Sequence, residues 1–86
     1  MGKTRPQSDD EILKAFGARL RDAREVRGMT QEQVAGLCEM SRSYLAGVET
    51  GRHNMGIAKV VRIAAVLAVS PAVFFTEAPL AKKRRR

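Results

Sequence analysis

The sequence predicts an all-α fold, a compact bundle of five short helices, on three observations. Apolar residues recur at i, i+3 and i+4 through several segments, and no stretch alternates apolar and polar residues with the period of a strand. Hydroxyl residues stand just ahead of these segments as candidate N-caps, at Thr30, Ser41 and Ser70. Glycine and proline punctuate the ends, Gly28 and Gly51 as C′ residues, Pro71 as a helix start and Pro79 as a breaker. With 86 residues there is room for one domain with a small core, marginal unless its helices pack well or the chain oligomerises.

Each element has its own signals. Residues 1–8 are polar, carry Gly2 and Pro6, and read as a disordered arm. Asp9, Asp10 and Glu11 then open a first helix, their charges favourable at its positive end, and it runs to about Arg27. Its inward residues are Ile12 or Leu13, Phe16, Leu20 and Ala23, and Gly28 ends it. The second helix, about Gln31 to Cys38, starts in a Thr30-x-x-Gln33 capping box. The third, about Arg42 to Thr50, follows Ser41 and stops at Gly51. Val34, Ala35, Leu37 or Cys38, Met40, Leu45 and Val48 are their inward set, and Ala35 is small where the two helices touch. After the loop Arg52 to Met55, a strongly apolar fourth helix runs from about Ile57 to Ala68, and a fifth from Pro71 to about Glu77 carries Val73, Phe74 and Phe75. The domain thus covers residues 9–78, between the arm and a basic tail, residues 79–86.

Two short capped helices joined by so tight a turn make a helix-turn-helix, whose second helix is of the kind that lies in a DNA major groove. Arg42 and Ser43 occupy the first turn of that helix, the part that meets base edges, and an arginine fork can donate two hydrogen bonds to guanine. The plainer alternative for Arg42 is a solvated surface charge. Gln31 opens the second helix, where free backbone N–H groups favour an anion, with a plain surface glutamine as the alternative. Tyr44, Arg52, His53 and Asn54 flank the recognition helix and are candidates to grip the DNA backbone; for Tyr44, partial core packing is the competing reading.

The run GMTQEQVAGLCEMSRSYLAGVETGRHN resembles the Cro/C1-type (XRE-like) helix-turn-helix regulators, and the likeness extends through FGARLRDAREVRG upstream and IAAVLAVSPAVFF downstream, about Phe16 to Phe75. The segments SRSYLAGVE, RHN and VSPAVFF are most similar to the small controller proteins of restriction–modification systems. The resemblance implies a lambda-repressor-like five-helix domain that binds double-stranded DNA without a cofactor. It implies base readout by Arg42, Ser43, Ala46 and Gly47, with Gly47 allowing close approach to the groove floor. It implies phosphate contacts from Thr30, Gln31, Tyr44, Arg52, His53 and Asn54. It also implies an ion pair of Arg24 with Glu49 that ties the recognition helix to the scaffold. Two positions depart from the family pattern. Glu39 stands where the turn usually has a glycine, at a cost of about 1 kcal/mol if the left-handed conformation is kept. Gly56 replaces the usual Ser or Thr cap of the fourth helix.

Leu67, Val69, Val73, Phe74 and Phe75 exceed what so small a core needs, and two adjacent phenylalanines cannot both point inward, so this set is the candidate interface of a homodimer, with a monomer carrying an exposed Phe as the plainer alternative. A symmetric pair would hold two recognition helices about 34 Å apart on a pseudo-palindromic site. Such a regulator represses by blocking RNA polymerase or activates by touching it. Within the same class stand a phage repressor and an antitoxin; from another class, a protein-interaction adaptor, against which the Arg42/Ser43 tip argues.

Composition narrows the rest. The net charge is +7, but nine basic and nine acidic residues balance between Asp9 and Pro79, so the excess belongs to the tail Lys82–Arg86 and to Lys3 and Arg5. The tail is a candidate for nonspecific phosphate contacts or a solubilising end. The single cysteine, Cys38, excludes an internal disulfide and reads as core packing; with no Cys/His cluster and one lone histidine, no metal site is expected. No nucleophile–base pair, carboxylate pair or phosphate-cradling loop argues for an enzyme. No apolar stretch approaches a membrane span and the N-terminus lacks a signal-peptide core, so the expected location is the cytoplasm.

Overall fold

The structure, a computed structural model, describes residues 7–76. Residues 1–6 of the expected arm (1–8) and the basic tail therefore lie outside the described residues, as does Glu77 at the end of the predicted fifth helix. Four α-helices are present, α1 (Asp9–Val26), α2 (Gln31–Leu37), α3 (Arg42–Glu49) and α4 (Ile57–Val66), with no strand among the described residues.

The fifth element is not an α-helix. Pro71–Phe75 forms a 3-10 turn, with Val73 N–H donating to Ser70 C=O at 3.0 Å. Five residues starting with a proline that has no N–H can close almost no 13-atom α rings. The tighter i→i+3 ladder suits such short pieces and carries the chain about 2.0 Å per residue instead of 1.5 Å. The N-cap reading of Ser70 holds, since its Oγ accepts from Ala72 N–H at 3.2 Å.

The helix starts follow the chemistry of the caps, with one addition. Ser8, assigned to the arm from sequence, is the N-cap of α1: its Oγ accepts from Glu11 N–H, and Glu11 accepts from Ser8 N–H, a reciprocal box like that of Thr30 and Gln33. Gly56 caps α4 with no side-chain hydrogen bond. All four helices stop in the same way. The residue after each cap turns left-handed, at Gly28, Glu39, Gly51 and Ala68. The next N–H then reaches back five residues: Met29 to Arg24, Met40 to Ala35, Arg52 to Gly47 and Val69 to Ala64. Glycine takes this conformation freely; Glu39 at φ 57° and Ala68 at φ 59° do so against a Cβ clash. Glu39→Gly is accordingly expected to raise stability by about 1 kcal/mol, a rise of about 4–8 °C in the melting temperature. An unchanged melt would mean that the turn relaxes when its side chain is removed.

α1 is the hub, packing on α3 and on the 3-10 turn, while α2 meets α3 and α4 and the turn also leans on α4. The core gathers Phe16, Leu20 and Ala23 from α1, Val34, Ala35 and Cys38 around α2, Leu45 and Val48 from α3, and Met55, Val60, Ile63, Ala64, Leu67 and Phe74. Of the open pairs in the sequence reading, Cys38 is inside and Leu37 is 63% exposed; Leu13 is half-buried and Ile12 mostly outside. Burial raises the pKa of the Cys38 thiol above its ordinary value, which keeps it protonated and unreactive.

The most severe packing constraint lies at Gly17 on α1. A Cβ built there would stand 2.3 Å from the carbonyl oxygen of Val48 and 2.6 Å from that of Glu49. Only a glycine lets α1 lie on the last turn of α3, and this contact sets the position of α3.

Candidate nucleic-acid interface

A chain of hydrogen bonds joins the scaffold to the tip of α3. It begins with Arg24, late in α1, whose Nε and Nη2 donate to Glu49 Oε2 and Oε1 at 2.7 and 3.0 Å. Both residues are buried, and the Glu49 side chain is only 2% exposed. Arg24 Nη1 also donates to Met29 C=O at 2.8 Å, so one guanidinium holds α3 and the entrance to α2 together. The hydrogen bond to Glu49, with its charge, raises the Arg24 pKa despite burial. Such a raised basic group contributes its stability wherever the pH is below the ordinary arginine value, and loses it only above that. No titration of Arg24 therefore falls in the working range.

The chain continues through Gln31. Its Nε2 donates to Glu49 Oε1 at 3.0 Å, and its Oε1 accepts from Arg42 Nη1 at 3.1 Å. Gln31, for which the resemblance implies a phosphate contact, has its side-chain amide engaged at both ends, between Glu49 and Arg42. What Gln31 does is hold one edge of the Arg42 guanidinium. Arg42 and Ser43 are both exposed at the start of α3, after the Ser41 cap whose Oγ accepts from Tyr44 N–H. Thr30 is exposed but its Oγ1 already accepts from Gln33 N–H, leaving the hydroxyl proton to donate outward.

Gly47 is buried beneath the ring of His53: a Cβ there would stand 2.2 Å from His53 Cδ2 and 2.6 Å from Nε2. The same ring stacks on Tyr44, centroids 5.4 Å apart and 12° from parallel, and Lys59 of α4 places its Nζ 5.2 Å from the Tyr44 centroid. Tyr44 is half-buried and packs against the core, with the rest of its side chain open beside α3. Lys59 was not in the sequence-derived set; fifteen residues separate it from Tyr44, and no local signal links them. Ala46 is half-buried, Arg52 and Asn54 are exposed, and Asn54 also borders an apolar cleft on the α1/α4 side.

The proposed interface set divides. Leu67 and Phe74 belong to the core, Phe74 edge-on to Phe16 at 5.4 Å, and neither has surface to offer a partner. Val69 and Val73 are half-buried, while Phe75 is 67% exposed. Around Phe75 runs the apolar cleft of about 270 Å³, walled by Ile12, Leu13, Met55, Ile57 and Val60. Ile57, at the start of α4, is 82% exposed, although Val60, Ile63 and Ala64 of the same helix are buried.

The model of a helix-turn-helix domain family matches residues 15–74, from within α1 to within the 3-10 turn, and so spans α2, α3 and α4 whole. The chain is an XRE-type helix-turn-helix protein. The family is one of DNA-binding transcription regulators, not a class of enzyme. The crystal structure of the restriction-modification controller protein C.AhdI from Aeromonas hydrophila is 38% identical, with a TM-score of 0.71 over 73% of this chain and 96% of that one. Control protein C.BamHI of Bacillus amyloliquefaciens is 32% identical over 72% of this chain and 78% of its own. The immunity repressor protein of Bacillus phage phi105 is also 32% identical, over 80% of this chain. This helix-turn-helix protein spans only 48% of that repressor's length. Among the described residues no group of side chains could hold a metal ion, and no helix is long and apolar enough to cross a membrane.

Proposed function

We propose that this protein is a homodimeric regulator that reads a palindromic operator with Arg42 and Ser43 and times the expression of a restriction–modification system, its own gene included. The observation that carries the reading is the Arg24–Glu49–Gln31–Arg42 relay. A flexible arginine that reads a base loses side-chain freedom on binding, and a partner that already holds one edge of the guanidinium reduces that loss. Arg52 and the hydroxyl of Thr30 supply backbone contacts beside it. The apolar rim around Phe75, with Val69, Val73 and Ile57, is the surface through which two copies pair. Likeness to C.AhdI and C.BamHI supports the restriction–modification assignment. Likeness to the phage immunity repressor supports a second reading, a repressor of phage genes with the same operator chemistry. Occupancy of a promoter-proximal operator acts on RNA polymerase in either case.

Site selection from a random duplex pool near physiological salt is the test. The full chain is expected to recover a palindrome with half-sites about one helical turn apart. Arg42→Ala is expected to lose about 10–100-fold in affinity and to relax the preference at one base pair per half-site. A single unrepeated half-site would overturn the dimer, and a motif unchanged in Arg42→Ala would remove base readout from that residue. The genes beside the recovered sites distinguish restriction from phage control.

A further inference from the structure

Gly47 needs a reason. Glycine inside a helix is disfavoured relative to alanine, since it orders more backbone and packs no side chain. Close approach to the groove floor would be one reason, but it requires a bare α-carbon, and here the His53 ring lies on it. Gly47 follows Tyr44 by three residues, so the two share a face of α3. Beyond the end of that helix the left-handed Gly51 reverses the chain and brings His53 back over both.

We propose that His53 is the positioning residue for Tyr44 and that Gly47 is the seat its ring requires. Near-parallel stacking of His53 on Tyr44, with Lys59 of α4 against the same phenol ring, brackets the tyrosine between the loop after α3 and a second helix. The phenol hydroxyl is thereby presented in one orientation beside the recognition helix, and the ring cannot turn without giving up a contact. His53 thus acts on DNA through Tyr44. A side chain on Gly47 would meet the ring edge of an exposed loop residue, so the ring would be displaced while the helix stays intact. At Gly17, by contrast, the obstacle is backbone. The affinity part of this inference rests on the reading of Tyr44 as a DNA contact; the positioning part does not.

A cycle of Gly47→Ala, His53→Ala and the double variant tests it, with His53→Phe as the conservative rescue. Tyr44 is the only tyrosine and the chain has no tryptophan, so its fluorescence reports this stack directly. Both single variants are expected to raise acrylamide quenching of Tyr44 and to weaken the selected duplex by about tenfold, while the double variant is no weaker than either, the non-additivity of two changes that remove one unit. His53→Phe, which keeps an aromatic ring on the seat, should retain the protected fluorescence and most of the affinity. Full additivity, with Gly47→Ala again losing tenfold without the His53 ring, would show that Gly47 meets DNA itself and overturn the proposal. So would unaltered Tyr44 quenching in His53→Ala. Should the wild type select no duplex, the regulator reading fails, and the fluorescence series still decides whether His53 positions Tyr44.

Discussion

Replacing Arg24 by alanine is expected to destabilise the domain by about 3–5 kcal/mol, because it leaves the Glu49 carboxylate buried and without its counter-charge. Only the Gln31 amide would remain to Glu49, and Met29 C=O would lose its donor as well. For a domain of this size the whole stability is about 4–10 kcal/mol, so a large part of it goes with one side chain. A thermal melt should fall by at least about 12 °C. The second consequence is functional. With Glu49 unpaired, Gln31 is drawn toward the carboxylate's new hydration and its hold on Arg42 loosens, so operator affinity should drop at temperatures where Arg24→Ala is still folded. Replacing both partners, as Arg24→Met with Glu49→Leu, is expected to recover most of the stability, since two apolar groups leave no buried charge behind. It should not recover the affinity, because Gln31 then has no anchor. A melt of Arg24→Ala within a degree or two of wild type would show that the pair adds nothing to the fold.

Gly17→Ala should be destabilising by about 2 kcal/mol or more, a fall of roughly 8–16 °C in the melt. Two effects oppose each other. Alanine in mid-helix gains up to about 1 kcal/mol over glycine. Against it, the added methyl would sit 2.3 Å from one backbone oxygen and 2.6 Å from another. Neither oxygen can swing aside as a side chain would, so α1 and α3 must separate, opening the contacts of Phe16, Leu20, Leu45 and Val48. Overpacking of this kind costs about 3 kcal/mol, which decides the sign. Gly36→Ala is the control: nothing stands within 4 Å of its added methyl, and it should stabilise by up to about 1 kcal/mol. If both glycine variants were stabilised, α1 would not lie as close to α3 as the structure has it.

Features that depend on neighbours along the chain were legible in the order of the residues. Caps, C′ glycines and helical spacing placed the first four helices to within about two residues, because a hydroxyl three residues ahead of a free N–H acts locally. The helix-turn-helix and the exposed Arg42/Ser43 tip followed from the same signals, and the Arg24–Glu49 pair came with the family resemblance. Tertiary structure alone decided the rest. Gly17 and Gly36 read alike in sequence, yet one admits a neighbouring backbone and the other faces open space. Phe74 and Phe75 read alike and both rings meet Phe16, yet the first is buried in the core and the second stands largely on the surface. Gln31 became a bridge and Gly47 a seat because α3, α2 and the loop after Gly51 converge there from distant positions. Local hydrogen-bond chemistry is written in short spacings, whereas the occupant of a given space is fixed only when all the helices are packed.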